Sequence, residues 1–331
     1  MSMKRVLITG GAGFIGGHIA EGLARDGHDV TVLDNFEPYY DLGIKKRNVE
    51  TAKRVAESND GEYELIEDSI TNAELVNELV SDIDILYHQA AQAGVRKSVE
   101  EPAKVNHYNV DGTINVLEAA RKHDIERAII ASSSSVYGKP EYLPYDENHP
   151  TSPVSPYGVS KLATEQYARV YSEIYGLPTV SLRYFTVYGP RMRPNMAFTN
   201  FVSRCLHGEP PVIYGNGSQT RDFTYKDDII RVNKQLLEDD SADGKILNVG
   251  STDNIDIQTL AEIIRDEIDP SLHIEYDEAR TGDAKHTHAD ISRANELLGY
   301  EPTVDIREGT RKFIAWYLEN EEWYDPLVRN S

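Results

Sequence analysis

Cysteine is almost missing from this chain of 331 residues: Cys205 is the only one. A lone thiol closes no internal disulfide, so the fold must rest on its core. With Phe201, Val202 and Leu206 as neighbours it reads as a buried thiol. Zinc is disfavoured for a related reason. His286 and His288 make a His-x-His spacing, but no nearby cysteine or third histidine completes a ligand set, so a solvent-facing or hydrogen-bonded role is expected. Long apolar runs are missing too, and nothing approaches the ~20 residues that span a bilayer. Strand-like Val6-Leu7-Ile8 stands where a signal peptide would carry its apolar stretch. The expectation is a cytoplasmic protein with no membrane partner. Positive charge is the last scarcity: 34 Lys and Arg face 55 Asp and Glu, a net of −21. That balance argues against nucleic acid and anionic lipid. It predicts a halophilic protein that stays hydrated in a salt-rich cytoplasm.

What is present is alternation. Val6-Leu7-Ile8, 30–33, 65–66, 83–86 and 128–130 read as strands, and 74–80 and 110–121 carry helical spacing. Strand–helix alternation implies a parallel sheet with helices on both faces. A further helix is expected over 155–175, ended by Gly176-Leu177-Pro178, with a strand at 179–184. After Phe185 prolines, glycines and aromatics cluster, which suggests a smaller substrate domain. Yet Ile246-Leu247-Asn248-Val249 looks like another buried strand. The domains are therefore expected to interleave: 1–184 plus about 222–250 for one, 185–221 plus about 251–331 for the other. Asn216-Gly217-Ser218 reads as a hairpin turn.

Gly11-x-Gly13-x-x-Gly16 follows the first strand and opens a helix, where backbone amides can meet a pyrophosphate. The pattern alone is weak. Asp34, at the end of the second strand, strengthens it. A carboxylate there accepts from both ribose hydroxyls and repels a 2′-phosphate, which points to NAD. Ala90-Ala91 after the fourth strand leaves room for the cofactor. The bland alternative makes Asp34 a turn residue.

Tyr157 and Lys161 stand four apart, on one face of the expected helix. A free phenol ionises near pH ~10. Bringing it to neutrality takes ~3 units, or ~4 kcal/mol. A fixed ammonium beside it works in that direction, and the positive ring of an oxidised nicotinamide adds to it.

Together these residues resemble the extended short-chain dehydrogenase/reductase family, specifically its sugar-nucleotide 4-epimerases. The likeness runs through Thr9 to Gly16, Ser132-Ser133-Ser134-Ser135-Val136-Tyr137-Gly138, Tyr157 to Lys161 and Arg183-Tyr184-Phe185-Thr186-Val187-Tyr188-Gly189-Pro190. It continues through Arg221-Asp222-Phe223 and Arg280-Thr281-Gly282-Asp283 into Ala289-Asp290, and so covers nearly the whole chain. It implies an α/β architecture: a Rossmann doubly wound parallel sheet that holds NAD, with a smaller α/β C-terminal domain for a UDP-sugar. It assigns Tyr157 as the base, Lys161 as its activator and Ser133 as the group that holds the sugar oxygen. Around the cofactor it places Gly10, Gly13, Phe14, Ile15, Gly16, Asp34 and Asn35. Further along it places Asp68, Ser69, Ile70, Ala90, Ala91, Asn109 and Tyr184, besides Tyr157 and Lys161. The family's adenine-contacting aspartate aligns with Ser69 here, and Asp68 lies one residue earlier.

Where the related 4,6-dehydratases carry Asp-Glu for elimination, and decarboxylases a glutamate, this chain has Ser134 and Ser135. The resemblance therefore implies a 4-epimerase, which oxidises carbon 4, turns the keto sugar over and reduces it again. Arg193 matches the arginine that uronate enzymes aim at the carboxylate, or else braces a proline-rich loop. Arg221 and Arg280 match diphosphate contacts, or else make surface ion pairs. Thr186, Tyr214 and Asp283 complete the expected substrate contacts, and Tyr214 fits the core equally well. A homodimer through the helices at 110–121 and 155–175 is also implied. The sugar stays open, UDP-glucose or UDP-glucuronate with the N-acetylglucosamine series not excluded by the small Thr287, and so does a reading in another class, a non-catalytic NAD-binding regulator or scaffold.

Overall fold

The structure, a computed structural model, describes residues 3–59, 61–251, 253–278 and 285–330. Among the described residues twelve strands run in chain order: β1 (Arg5–Thr9), β2 (Asp29–Leu33), β3 (Tyr63–Ile66), β4 (Ile85–His88), β5 (Arg127–Ser133) and β6 (Thr179–Tyr184). They continue as β7 (Thr186–Tyr188), β8 (Val212–Tyr214), β9 (Thr220–Tyr225), β10 (Lys245–Val249), β11 (Asn254–Asp256) and β12 (Glu275–Asp277). Seven form one sheet in the order β10-β6-β5-β4-β1-β2-β3, every pair parallel. The expected parallel sheet is there, in the doubly wound order of dinucleotide-binding folds.

Side-chain alternation builds the layers. Val6 and Ile8 of β1 enter one core with Val32, Ile129 and Val180, while Leu7 enters the opposite core with Leu33, Leu86 and Ile130. Sheets covered on both faces need such apolar strands. A third core gathers Tyr188, Phe198, Phe201, Phe223, Leu260, Phe313 and Tyr317 around the chain's second half. Beside it β9 pairs with β7 and β11, and β8 pairs with β12. Cys205 is buried in this third core.

Strand order reverses between β1 and β4, so the loops that follow them open a crevice at the carboxyl edge of the sheet. Helix Pro156–Tyr175 borders this crevice. Ser155 caps it, accepting from Gly158 N (3.1 Å), and Gly176 ends it at φ 72°.

Two local expectations change. The helix predicted over 110–121 is preceded by a wider turn at His107–Asp111, and its regular part is Gly112–His123. Asn216 does make a turn, accepting from Ser218 N (3.1 Å), but the flanking strands pair elsewhere and form no hairpin. Among the described residues no helix is long and apolar enough to cross a membrane.

Candidate functional site

One cleft of about 1340 Å³ runs along the carboxyl edge of the main sheet. That exceeds the roughly 300–1,000 Å³ of a site for one small ligand and leaves room for two.

At one end lies the glycine loop. Gly10 N donates to Leu33 O (2.7 Å), and Gly13 N donates to Gly10 O (3.0 Å), which closes a tight turn into helix Phe14–Arg25. A side chain at Gly16 would put its first carbon 2.4 Å from Gly10 O, so only glycine lets helix and loop approach this closely. Asn48 Nδ2 braces the loop through Ala12 O (2.9 Å) and Gly13 O (3.0 Å). The first-turn amides of the helix are left for an anion.

Asp34 follows β2 and is buried. Its carboxylate accepts from Ala12 N (3.1 Å), Phe36 N (2.9 Å) and Lys45 Nζ (2.9 Å). Lys45 lines the same cleft. It had no signature in the sequence: it lies in a later helix, eleven residues beyond Asp34. Asn35, Asp68, Ser69, Ile70, Ala90 and Ala91 line this end as well. Asp68 folds back on Ser69 N (2.6 Å) and Asn72 Nδ2 (3.1 Å). Asn109 does not line the cleft. It is buried behind it, where its Oδ1 accepts from Gln92 N (2.7 Å) and its Nδ2 donates to Ser160 Oγ (2.9 Å). It ties the loop after β4 to the helix of Tyr157. The cradle of glycines, free helix amides and a buried carboxylate fits a dinucleotide.

At mid-cleft Ser133, Ser134, Ser135, Tyr157, Lys161 and Tyr184 come together. Ser133 ends β5, and its Oγ accepts from Ser135 N (3.1 Å). It also hydrogen-bonds the Tyr157 phenol. Lys161 Nζ donates to Ala131 O (2.8 Å). Tyr184 Oη accepts from Asn233 Nδ2 (2.9 Å). Burial pushes the Tyr157 phenol up, while Arg193 and the Ser133 hydrogen bond oppose that rise. Burial pushes the Lys161 amine down to about 8. The expected lowering of the phenol by the ammonium is therefore not what the protein alone provides. Loss of water around a buried phenolate outweighs the lowering by Arg193 and Ser133, and Lys161 is not among the groups that lower it.

The far end holds Thr186, Arg193, Tyr214 and Arg221. The Arg193 guanidinium lies 5.4 Å from the centroid of the Tyr39 ring. Tyr39 Oη reaches the backbone at Gly94, where φ is 102° and a side chain would collide with it at 2.2 Å. Arg221 NH1 donates to Thr220 O (2.8 Å) and Lys285 O (3.4 Å). Arg204, Lys285 and His286 also line this end, and sequence reasoning had not placed them there. His286 Nδ1 lies 3.1 Å from Thr220 Oγ1. Arg280 and Asp283 lie outside the described residues.

Over residues 7–313 the sequence matches the family described as GDP-mannose 4,6 dehydratase. UDP-glucuronate 4-epimerase 4 of Arabidopsis thaliana is 37% identical over 333 residues, covering 95% of this chain and 75% of that protein. The UDP-glucuronic acid 4-epimerase of Bacillus cereus, solved with UDP-glucuronic acid and NAD, superposes with a TM-score of 0.88 at 35% identity, covering 96% of this chain and 99% of that one. The UDP-glucose 4-epimerase of Thermotoga maritima, solved with UDP-glucose, gives a TM-score of 0.87 at 31% identity, covering 96% and 99%. With a match this long, a doubly wound sheet and a serine–tyrosine–lysine group in one cleft, the chain belongs to the GDP-mannose 4,6 dehydratase family of extended short-chain dehydrogenases/reductases.

Proposed function

We propose that this chain is an NAD-dependent UDP-sugar 4-epimerase, acting on UDP-glucuronate/UDP-galacturonate or UDP-glucose/UDP-galactose. One observation carries the reading. Ser133, Tyr157 and Lys161 share mid-cleft with Ser134 and Ser135, and none of the five is a carboxylate. The site holds a base for an alcohol, and no acid stands at the serine positions for elimination.

Bound NAD supplies the acceptor, and later the donor, of the hydride at carbon 4. Tyr157 Oη takes the proton of the 4-hydroxyl and later returns it. Ser133 Oγ holds that oxygen as it becomes a carbonyl. Lys161, held by Ala131 O, favours the ionised phenol and donates to the nicotinamide ribose. Gly10, Gly13 and Gly16 cradle the pyrophosphate, and Asp34 with Lys45 takes the adenosine ribose. Residues 1–184 with about 222–250 form the NAD-binding part. Residues 185–221 with about 251–331 hold the UDP-sugar. The separate third core and the return of β10 to the main sheet support that division. Arg193, whose charge acts on Tyr157, favours a uronate carboxylate.

Val159 and Ile174 stand exposed on helix Pro156–Tyr175, which supports pairing with a second copy through this helix and the one at 112–123. The charge of −21 supports a salt-rich cytoplasm. Stability that rises with molar potassium chloride is the expected result there, and equal stability in dilute buffer opposes it.

The test is Tyr157→Phe. Turnover of the UDP-sugar is expected to fall by roughly 10²–10⁴-fold, the usual size of a general-base effect, with NAD still bound. Unchanged turnover would remove Tyr157 as the base, and an unaltered protein that binds NAD but turns over no UDP-sugar supports a scaffold instead.

A further inference from the structure

Behind the Tyr157–Lys161 pair lies a buried ion pair that the reaction as described does not use. Glu165 is fully buried one helical turn beyond Lys161. Phenol, amine and carboxylate therefore share one face of helix Pro156–Tyr175. Arg183 of β6 meets the carboxylate with two nitrogens, Nε to Oε1 and NH2 to Oε2, each at 2.8 Å. Ser132 Oγ donates to Oε1 as well. Arg183 NH1 donates to Tyr137 Oη (2.9 Å), and the guanidinium lies 4.7 Å from the centroid of that ring.

Stability is a weak reason for such a pair. Well-packed apolar residues often replace buried ion pairs at no cost. What the pair touches is more informative. Ser132 directly precedes Ser133. Ala131, one residue earlier, offers the carbonyl that takes Lys161 Nζ (2.8 Å). One short end of β5 thus carries the Glu165 tie, the acceptor for the lysine and the serine that faces the phenol.

We propose that Glu165 is a positioning residue for the reaction: paired with Arg183 and tied to Ser132, its carboxylate favours the ammonium of Lys161 and fixes the end of β5 that bears Ser133. The proposal rests on the Tyr157–Lys161 pair being the reacting pair. The charged and titratable groups around Lys161 fit it. Tyr157 and Glu165 lie on its own helix. From β4 comes His88, held neutral by burial and hydrogen-bonded to Thr9 Oγ1 (2.7 Å) and Thr113 Oγ1 (2.9 Å). From β6 comes Arg183, behind Glu165. Glu165 is the anion of this group, and it raises the Lys161 amine against the pull of burial.

The experiment is the pH profile of kcat from neutral to alkaline pH, with whichever UDP-sugar the unaltered enzyme inverts. In Glu165→Gln the alkaline limb is expected to move down by roughly one unit, since a neighbouring opposite charge shifts a titration by that order. KM should change little. Glu165→Gln leaves Arg183 unpaired, so the double variant Glu165→Gln/Arg183→Met is the second arm. It removes both charges, and its limb should still lie below that of the unaltered enzyme. Ser132→Ala should lower kcat several-fold with the limb in place. A limb at the unaltered position in both glutamine variants overturns the proposal, whatever happens to kcat. An unaltered enzyme that inverts no UDP-sugar sinks the epimerase reading and this proposal together. An active enzyme with an unmoved limb sinks the proposal alone.

Discussion

Burial acts on Tyr157 and Lys161 in opposite directions, raising the phenol and lowering the amine, and both shifts favour the neutral forms. The charges that make the pair work must come from neighbours. Arg193 on the substrate side lowers the phenol, and Glu165 behind the helix raises the amine. The same logic applies at Asp34, a buried carboxylate satisfied by Lys45 and two backbone amides. Lys45→Met leaves that carboxylate without its cation. Removing one partner of a buried pair costs ~3–5 kcal/mol, so a fall of that order is expected in urea unfolding. An unchanged midpoint would mean that the amides suffice. Of these residues, Asp34, Tyr157 and Lys161 were legible in the sequence because spacing announces them. Glu165 was not read from the sequence: a glutamate four residues beyond a lysine is ordinary helical spacing, and its burial against Arg183 is tertiary. Lys45 and Tyr39 were not legible, since their roles arise from tertiary approach alone.

At the scale of elements, the site exists because two parallel strands, β1 and β4, send their loops apart at the point where strand order reverses. The strands were readable because both faces of the sheet are covered, which leaves short apolar runs. The irregular turn at His107–Asp111 was not, because the partners of its Asn109 are distant in sequence: Gln92 of the loop after β4 and Ser160 of helix Pro156–Tyr175. Nor was the pairing of β8 with β12, which joins segments some sixty residues apart and has no local signature. The glycine loop gives this scale its test. In Gly16→Ala a methyl carbon 2.4 Å from Gly10 O must drive helix and loop apart. The purified variant is expected to carry much less NAD on acid release, while Tyr157→Phe keeps its full complement. Full NAD content in Gly16→Ala would contradict the cradle.

For the whole molecule, two buried histidines contribute to how stability depends on pH. His88 is pushed down to about 3 by burial, and His18, buried beside Arg191, falls well below its ordinary value. Unfolded, each takes a proton near pH ~6.5. Below that value the unfolded chain binds the extra protons, so stability falls as pH drops, by at most ~1.4 kcal/mol per unit for each histidine. For His88 the fall continues until pH reaches about 3. Urea midpoints at mildly alkaline and mildly acidic pH should show this slope, and His88→Gln should flatten it; an equal slope in the variant would remove His88 from the account. The central claim concerns the whole cleft, where one phenol and one cofactor invert carbon 4 without help from solvent. Incubation with UDP-glucuronate, and separately with UDP-glucose, in deuterated water, followed by nuclear magnetic resonance, tests it most directly. Inversion at carbon 4 with protium retained there is the predicted result; deuterium at carbon 4, or loss of carbon dioxide or water from the sugar, would contradict it.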